Sequence, residues 1–427
     1  MRRGYSSRLG WGAVLGLAVL LLAACVEQRG LEERLASFRV NTTSARGSAE
    51  SPIPFPESPL PIDVTIVAIS NKGRKMSEFN GEVAVFATPG RAHDDRFALV
   101  RVPLVAGEGS ASLFLSKVYG KTYVCVEDRY RGPESTYAVG CSPTFYVDMP
   151  AIAQMQRTED VTTSPLTGSF IEIRKGDLIV TGVFAEGFFV QDLEAEPDPM
   201  RPGTWGGLFV YSFSFPDGLS MGDRVSSIIG TVQEFTGTTQ LVFPSWTRVM
   251  APKRLEDLPA PVEITSELCA ATGMGDNGLM CGQQDNLDLE SLESSVVVVR
   301  RVRTPTTWVD CDFNKDGDVP NYDPNCSDGD ERTVCREIAC KAMCNLDPTC
   351  SELSGYETYG QWAVTLDEGA GPKINVLTRE GVPEFDPLDP ANQGILIDVS
   401  GNLRHSLPAR PRWVVLARTP EDLVRHP

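Results

Sequence analysis

The residues best suited to chemistry form one acidic stretch, Asp312-Phe-Asn314-Lys-Asp316-Gly-Asp318-Val-Pro-Asn-Tyr-Asp323. Side-chain oxygens fall at its first, third and fifth positions, Gly317 takes the sixth, and Asp323 takes the twelfth. Calcium takes about six to eight oxygen ligands, and alternating side chains on a tight loop supply them, with Asp318 offering its backbone carbonyl. Calcium is therefore the expected cofactor, in a structural role that neutralises crowded carboxylates and braces the segment. Cysteines crowd the same region: Cys311, Cys326, Cys335, Cys340, Cys344 and Cys350. Upstream lie Cys125 with Cys141 and Cys269 with Cys281. Setting Cys25 aside leaves these ten of the 11 cysteines in even groups, the pattern of disulfides in an exported chain. No Cys-x-x-Cys occurs and the cluster holds no His, which argues against zinc. The pairing among the six stays open.

The acidic stretch resembles the calcium loop of EF-hands and related calcium repeats. It departs from them in two ways. The twelfth position is Asp, shorter than the usual Glu, and Thr304-Pro-Thr-Thr-Trp308 before the loop is not helical in pattern. A short helix is expected near Glu331 to Cys344, and Asp328, Asp330 or Glu331 could complete the coordination sphere.

The N-terminus carries an address. Arg2, Arg3 and Arg8 precede an uncharged apolar run from Trp11 to Leu22, and Leu22-Ala23-Ala24-Cys25 closes it. The run is short for a membrane-spanning helix and reads as a cleaved signal. The small residues before a cysteine resemble the lipobox of bacterial lipoproteins. That resemblance implies a signal peptide over 1–24 and acyl chains, palmitate among them, on Cys25, with several chains giving stable anchoring. Val26 replaces the Asp that retains lipoproteins at the inner membrane, so in a Gram-negative host the expected location is the outer membrane.

The 427 residues suffice for about three domains. Thirty-eight Gly, 31 Pro and 41% hydrophobic residues suit a mostly β chain of short strands and turns. A net charge of −18 repels phosphate backbones and anionic headgroups, so nucleic acid is a disfavoured partner. Residues 25–59 read as the lipidated Cys followed by a disordered Pro/Ser linker, with Ser51-Pro-Ile-Pro-Phe-Pro-Glu-Ser-Pro59 a stiff spacer. Over 60–150, Ile62/Val64/Ile66, Val83/Val85, Leu113/Leu115 and Tyr123/Cys125 alternate with period two between turn signals. The stretch is similar to a bacterial immunoglobulin-like β-sandwich, with Cys125 and Cys141 stapling its last two strands at a gain of about 3 kcal/mol.

Residues 165–258 contain Gly187-Phe-Phe-Val-Gln-Asp192, Met221-Gly-Asp-Arg-Val225 and Gly230-Thr-Val-Gln-Glu-Phe235. These resemble the OB-fold domain of large secreted bacterial nucleases, which implies a five-stranded barrel of the kind that often binds oligonucleotides or oligosaccharides on one face. The catalytic domain that follows in that family has no counterpart here, because its metal site needs clustered His and this chain has only His93, His405 and His426, far apart.

The strand pattern recurs. Gly360–Leu366 parallels Gly187–Leu193, Ile374–Val376 parallels Leu208–Val210, Val399–Leu403 parallels Ile228–Val232, and Arg412–Leu416 parallels Gln240–Phe243. Offsets stay near 166 to 173 residues. A second OB-like barrel is expected over 287–423, opening with Ser295–Arg300 and carrying a Cys-rich acidic insertion, 304–354, between its first two strands.

No Gly-x-Ser-x-Gly, His-Glu-x-x-His or phosphate loop occurs, so no enzyme is expected. The expectation is a lipid-anchored envelope protein that binds a glycan, peptide or protein partner through its OB-like domains. A nucleic-acid-binding protein or a purely structural surface component are the alternatives. Trp205, Tyr211, Trp246 and Trp308 are candidates to stack on sugars or bases. The first barrel's seven basic residues against at least ten acidic ones disfavour a single-strand groove.

Overall fold

The computed structural model describes residues 33–93, 100–128, 137–159, 163–269, 280–281, 286–308, 311, 323–326, 333–346, 352–405 and 413–427. The signal segment, Cys25, Asp312, Asn314, Asp316, Asp318, Cys350 and the side chain of Cys344 lie outside the described residues. The described residues divide into two compact units, 33–47 with 58–145, and 48–57 with those from 146 to 427.

The first unit is a two-sheet sandwich. Its strands are β1 (Leu35–Thr42), β2 (Leu60–Ser70), β3 (Gly81–Thr88), β4 (Arg91–His93), β5 (Val100–Leu104), β6 (Glu108–Ser116), β7 (Gly120–Glu127) and β8 (Val139–Cys141). One sheet runs β1-β2-β6-β4 and the other runs β5-β3-β7-β8. The period-two alternation does what it should: Ile62, Val64 and Ile66 point inward from β2 with Leu113 and Leu115 of β6, and Val83 and Val85 bury from the other sheet. Cys125 and Cys141 face each other in the β7–β8 ladder and are bonded.

The expected disordered linker over 25–59 is corrected here. β1 pairs along β2 from Leu35↔Ser70 to Thr42↔Val64, and Leu35, Phe38 and Val40 are buried. A register shift between Leu35 and Ser37 is the reason the strand escapes a period-two reading, since it puts the buried apolar residues at irregular spacing. The spacer is not free throughout either. In the second unit Ile53 bridges Val147 of the short strand β9 (Phe145–Val147), its N–H donating to the Tyr146 carbonyl at 2.8 Å.

The second unit holds two closed barrels. The first uses β11 (Leu178–Phe184), β12 (Gly187–Asp192), β13 (Gly207–Tyr211), β14 (Arg224–Phe235) and β15 (Thr238–Arg248), with β10 (Phe170–Ile173) added outside β14. β11, β12 and β13 form an antiparallel meander, β13 pairs β15 in parallel, β15 pairs β14, and β14 returns to β11. The second uses β17 (Val296–Arg303), β18 (Gln361–Thr365), β19 (Lys373–Leu377), β20 (Leu396–His405) and β21 (Trp413–Leu416) in the same order, again with one parallel pairing, β19 with β21. It reaches past 287–423, since β16 (Val262–Glu263) joins β17 and β22 (Leu423–Arg425) joins β20.

The repeat holds at the level of single residues. In the first barrel Tyr211 pairs with Val242 and Val242 with Thr231; in the second Leu377 pairs with Leu416 and Leu416 with Asn402. By this register Gln240–Val242 corresponds to Val414–Leu416. Each barrel buries its own inward-facing strand residues, such as Phe188, Val190 and Leu241 in one and Val297, Trp362 and Val415 in the other.

The two barrels pack together over shared apolar and polar contacts. Phe184, Phe189 and Phe209 of the first form one buried cluster with Leu377, Val414 and Leu416 of the second. Asn402 Nδ2 donates to Thr181 Oγ1 at 2.9 Å, and the Val296 N–H donates to Gln191 Oε1 at 3.2 Å. Arg418 donates to the Thr181 carbonyl while its other nitrogens grip Asp422 at 2.7 and 2.8 Å. A Cβ at Gly182 would collide with Asn402, so the glycine sets how closely the barrels approach.

In the insertion, Cys311 bonds Cys340 and Cys326 bonds Cys335, so both partners sit on the helix Thr333–Leu346. Cys269 bonds Cys281, and both are buried in the second barrel's core.

In the sandwich, a Cβ at Gly140 would run into the Phe38 backbone, where β1 crosses β8. Gly140→Ala is expected to lower stability by about 1–3 kcal/mol through overpacking against backbone that cannot move aside. Denaturant unfolding of the variant measures this, and an unchanged midpoint would mean that β1 does not pass there.

Candidate ligand-binding site

The closing topology of the first barrel brings three segments together at one end. The β11–β12 turn supplies Glu186, the end of β13 supplies Phe209 and Tyr211 and runs on to Phe213, and the β14–β15 turn supplies Phe235, Thr236 and Thr238. The end of β20 in the second barrel completes the wall with Arg404 and His405. Together with Gln233 and Gln240 they enclose a cavity of about 270 Å³. This is the face and the pair of loops by which five-stranded barrels of this order bind oligomers.

The wall is aromatic. Rings follow one another from the core outward: Phe189 to Phe209 at 4.7 Å, Phe209 to Tyr211 at 6.2 Å, Tyr211 to Phe213 at 4.5 Å, and Phe213 to Phe243 at 5.1 Å. The row begins fully buried at Phe189 and ends with Phe213 and Phe243 at 53% and 74% exposure. Both outer phenylalanines hold left-handed backbone, φ 62° and 52°. A bulky side chain avoids that region unless its surroundings impose it, and such strain gathers at functional sites.

The polar groups divide between rim and floor. Gln240 Nε2 donates to Gln233 Oε1 at 3.1 Å, leaving the amide pair braced beside the aromatic wall. The guanidinium of Arg404 lies 5.8 Å from the Phe209 ring centroid, and its buried Nε has no hydrogen-bond partner among the described residues. Burial lowers the Arg404 pKa, while the Glu380 and Glu186 carboxylates pull it the other way.

Beneath these, His405 is enclosed by Gly237, Trp413 and Glu290, with Nε2 3.2 Å from Glu290 Oε2. Burial holds the imidazole far below its ordinary value, at about 3, so it is neutral across the physiological range. Glu293 is fully buried near Glu290; burial, reinforced by the Glu290 and Glu234 carboxylates, raises it well above the ordinary carboxylate range. Its Oε1 accepts from the Thr239 N–H at 3.0 Å and its Oε2 has no partner.

The stacking residues expected from sequence separate in the structure. Tyr211 lines the cavity. Trp205 is buried and bonds Asp198 at 2.7 Å, Trp246 packs edge-on to Phe188, and Trp308 packs on Tyr356. Phe209, Phe213, Phe235 and Arg404 were not singled out by sequence reasoning. The run Tyr211-Ser-Phe213-Ser-Phe215 was the available signal, alternating aromatics that outlast their strand. Of the expected calcium ligands only Asp323 is described. It caps a turn, its Oδ1 accepting from the Asn325 N–H at 2.8 Å. Among the described residues no helix is long and apolar enough to cross a membrane.

No family model matches the chain, and no curated protein does. Among solved structures, dimeric latent PorU from Porphyromonas gingivalis aligns at 13% identity with a TM-score of 0.19, over 51% of this chain and 25% of PorU's. The chain thus spans about a quarter of PorU's length, and a likeness of that size carries no argument about function.

The two buried ionisable groups give opposite pH signatures. His405 binds its proton far less readily folded than unfolded, so its contribution is intact above its ordinary value of 6.5 and is lost as pH falls from there towards about 3. Glu293 holds its proton more tightly folded than unfolded, so its contribution is intact below 4.5 and is lost as pH rises through its elevated folded value. Urea midpoints against pH are expected to flatten on the acid side in His405→Gln and on the alkaline side in Glu293→Gln. Parallel profiles for wild type and both variants would contradict this placement.

Proposed function

We propose that this chain is a non-enzymatic, lipid-anchored cell-envelope protein that binds a glycan at the aromatic-walled cavity of its first barrel. The Arg-rich start, the apolar run and Leu22-Ala-Ala-Cys25 support the anchor, with Cys25 as the acylated residue and the outer membrane as the location. The observation that carries the binding reading is the row Phe209, Tyr211, Phe213, Phe243, which leaves large rings exposed beside braced amides at a barrel's ligand-binding end. Sugars present apolar C–H faces to such rings and hydroxyls to such amides. The volume suits one sugar ring of a longer chain.

The binding test uses residues 26–427, made without the lipidated Cys25, retained on immobilised envelope polysaccharide. Phe213→Ala is expected to weaken retention at least tenfold without changing the melting temperature by more than a degree or two, since its ring is half exposed. Equal retention by the variant would remove the cavity from the account. A single-stranded oligonucleotide serves as the competing probe, and salt-sensitive binding to it would favour the nucleic-acid alternative.

Calcium in the loop from Asp312 to Asp323 is part of the same proposal. The disulfides Cys311–Cys340 and Cys326–Cys335 flank that loop and tie both flanks to one helix, which supports a pre-shaped turn. Calcium is expected to raise the melting temperature by several degrees, and Asp316→Ala to abolish the rise. A melting temperature indifferent to calcium and chelator would reduce the loop to a solvated acidic turn.

A further inference from the structure

Arg404 makes the cavity selective. A guanidinium withdrawn from water is costly unless a counter-charge and hydrogen bonds meet it. Among the described residues no carboxylate lies within ion-pairing distance of Arg404, and its buried Nε–H donates to nothing. Neither nearby acid closes an ion pair with Arg404, though both carboxylates act on its charge. Glu380 accepts from the Ala185 N–H at 3.1 Å, and Glu186 stands on an exposed turn at the rim. The Phe209 ring beneath the guanidinium holds it in one place and takes up its apolar face, leaving its planar edge of donors as the reactive side. That edge matches a carboxylate, which accepts two parallel N–H bonds.

Resting on the glycan-binding reading above, we propose that the cavity takes a carboxylate-bearing sugar ring of the uronic-acid type. Arg404 grips the carboxylate, and the Tyr211 and Phe213 rings cover the sugar face. Each alternative leaves something in the cavity unanswered. A neutral sugar can offer Arg404 a hydroxyl oxygen but no counter-charge for its guanidinium. An acidic peptide side chain has no ring face to lay on the aromatic wall. A phosphate dianion meets stronger repulsion from Glu186 and Glu380 than a monoanion does, and a nucleic-acid chain meets the net charge of −18 besides. The rim hydroxyl of Thr236 and the amide of Gln233 face the cavity, where sugar hydroxyls can reach them.

The test is titration calorimetry, with saturation-transfer NMR, on the full mature chain. The probes are methyl glucuronide, methyl glucoside, glucose 6-phosphate and benzoate. The uronide is expected to bind at least tenfold more tightly than the neutral glucoside and more tightly than the other two. Arg404→Gln is expected to bring the uronide down to the glucoside's level, and Arg404→Lys to recover only part of the difference because an ammonium has no fork. Glu186→Gln, on an exposed turn, is expected to strengthen uronide binding severalfold; it keeps the test alive if the Arg404 variants fail to fold. Equal binding of both sugars, unmoved by Glu186→Gln, would overturn the acidic preference and leave the glycan-binding reading standing. Tighter binding of the phosphate ester or of benzoate would overturn the sugar-acid assignment. Failure of every saccharide, polysaccharide included, would overturn both.

Discussion

One parallel pairing, made twice, organises the second unit. β13 lies parallel to β15 in the first barrel and β19 parallel to β21 in the second. Without that contact each meander would be an open sheet with unsatisfied edges. With it, the third strand of each barrel is fixed beside the fifth. The outer surfaces of β13, β19 and β21 then supply the apolar cluster by which the barrels pack. Closure, packing and the aromatic wall of the cavity therefore share the same few strands.

That packing explains why the cavity is polar at its base. Where the two barrels meet, the β14–β15 turn and the end of β20 come together, and their side chains carry charge. Glu290, Glu293 and His405 are buried at this seam, with Glu234 half-buried beside them. The protein meets the cost by keeping its imidazole neutral, by burial that disfavours ionisation of the Glu293 carboxyl, and by hydrogen bonds such as Thr239 to Glu234 at 2.6 Å. Arg404 stands beside these groups as a charge with no ion-pair partner among the described residues.

Much of this architecture is written in local patterns. Ile62/Val64/Ile66 and Gly187–Asp192 declare their strands because one face of each is buried, and the recurrence of Gly-centred strand pairs exposes the duplication. β1 is hidden because its bulge breaks the alternation. The cavity is hidden for a different reason. Tyr211 and Arg404 are brought together only by barrel packing, and no local pattern encodes a contact between segments so distant. Phe213 and Phe243 add to the difficulty, because their outward display depends on left-handed backbone that a propensity argument would assign to other residues.

The central claim is that the duplicated barrels build one ligand cavity with walls from both copies. Hydrogen–deuterium exchange of the mature chain, with and without saturating acidic envelope polysaccharide, tests it most directly. The account predicts slower exchange in three separate places at once: the Ala185–Glu186 turn, the Phe235–Thr238 turn and the end of β20 at Arg404–His405. Protection confined to the sandwich, or to one barrel with Arg404–His405 unchanged, would contradict it.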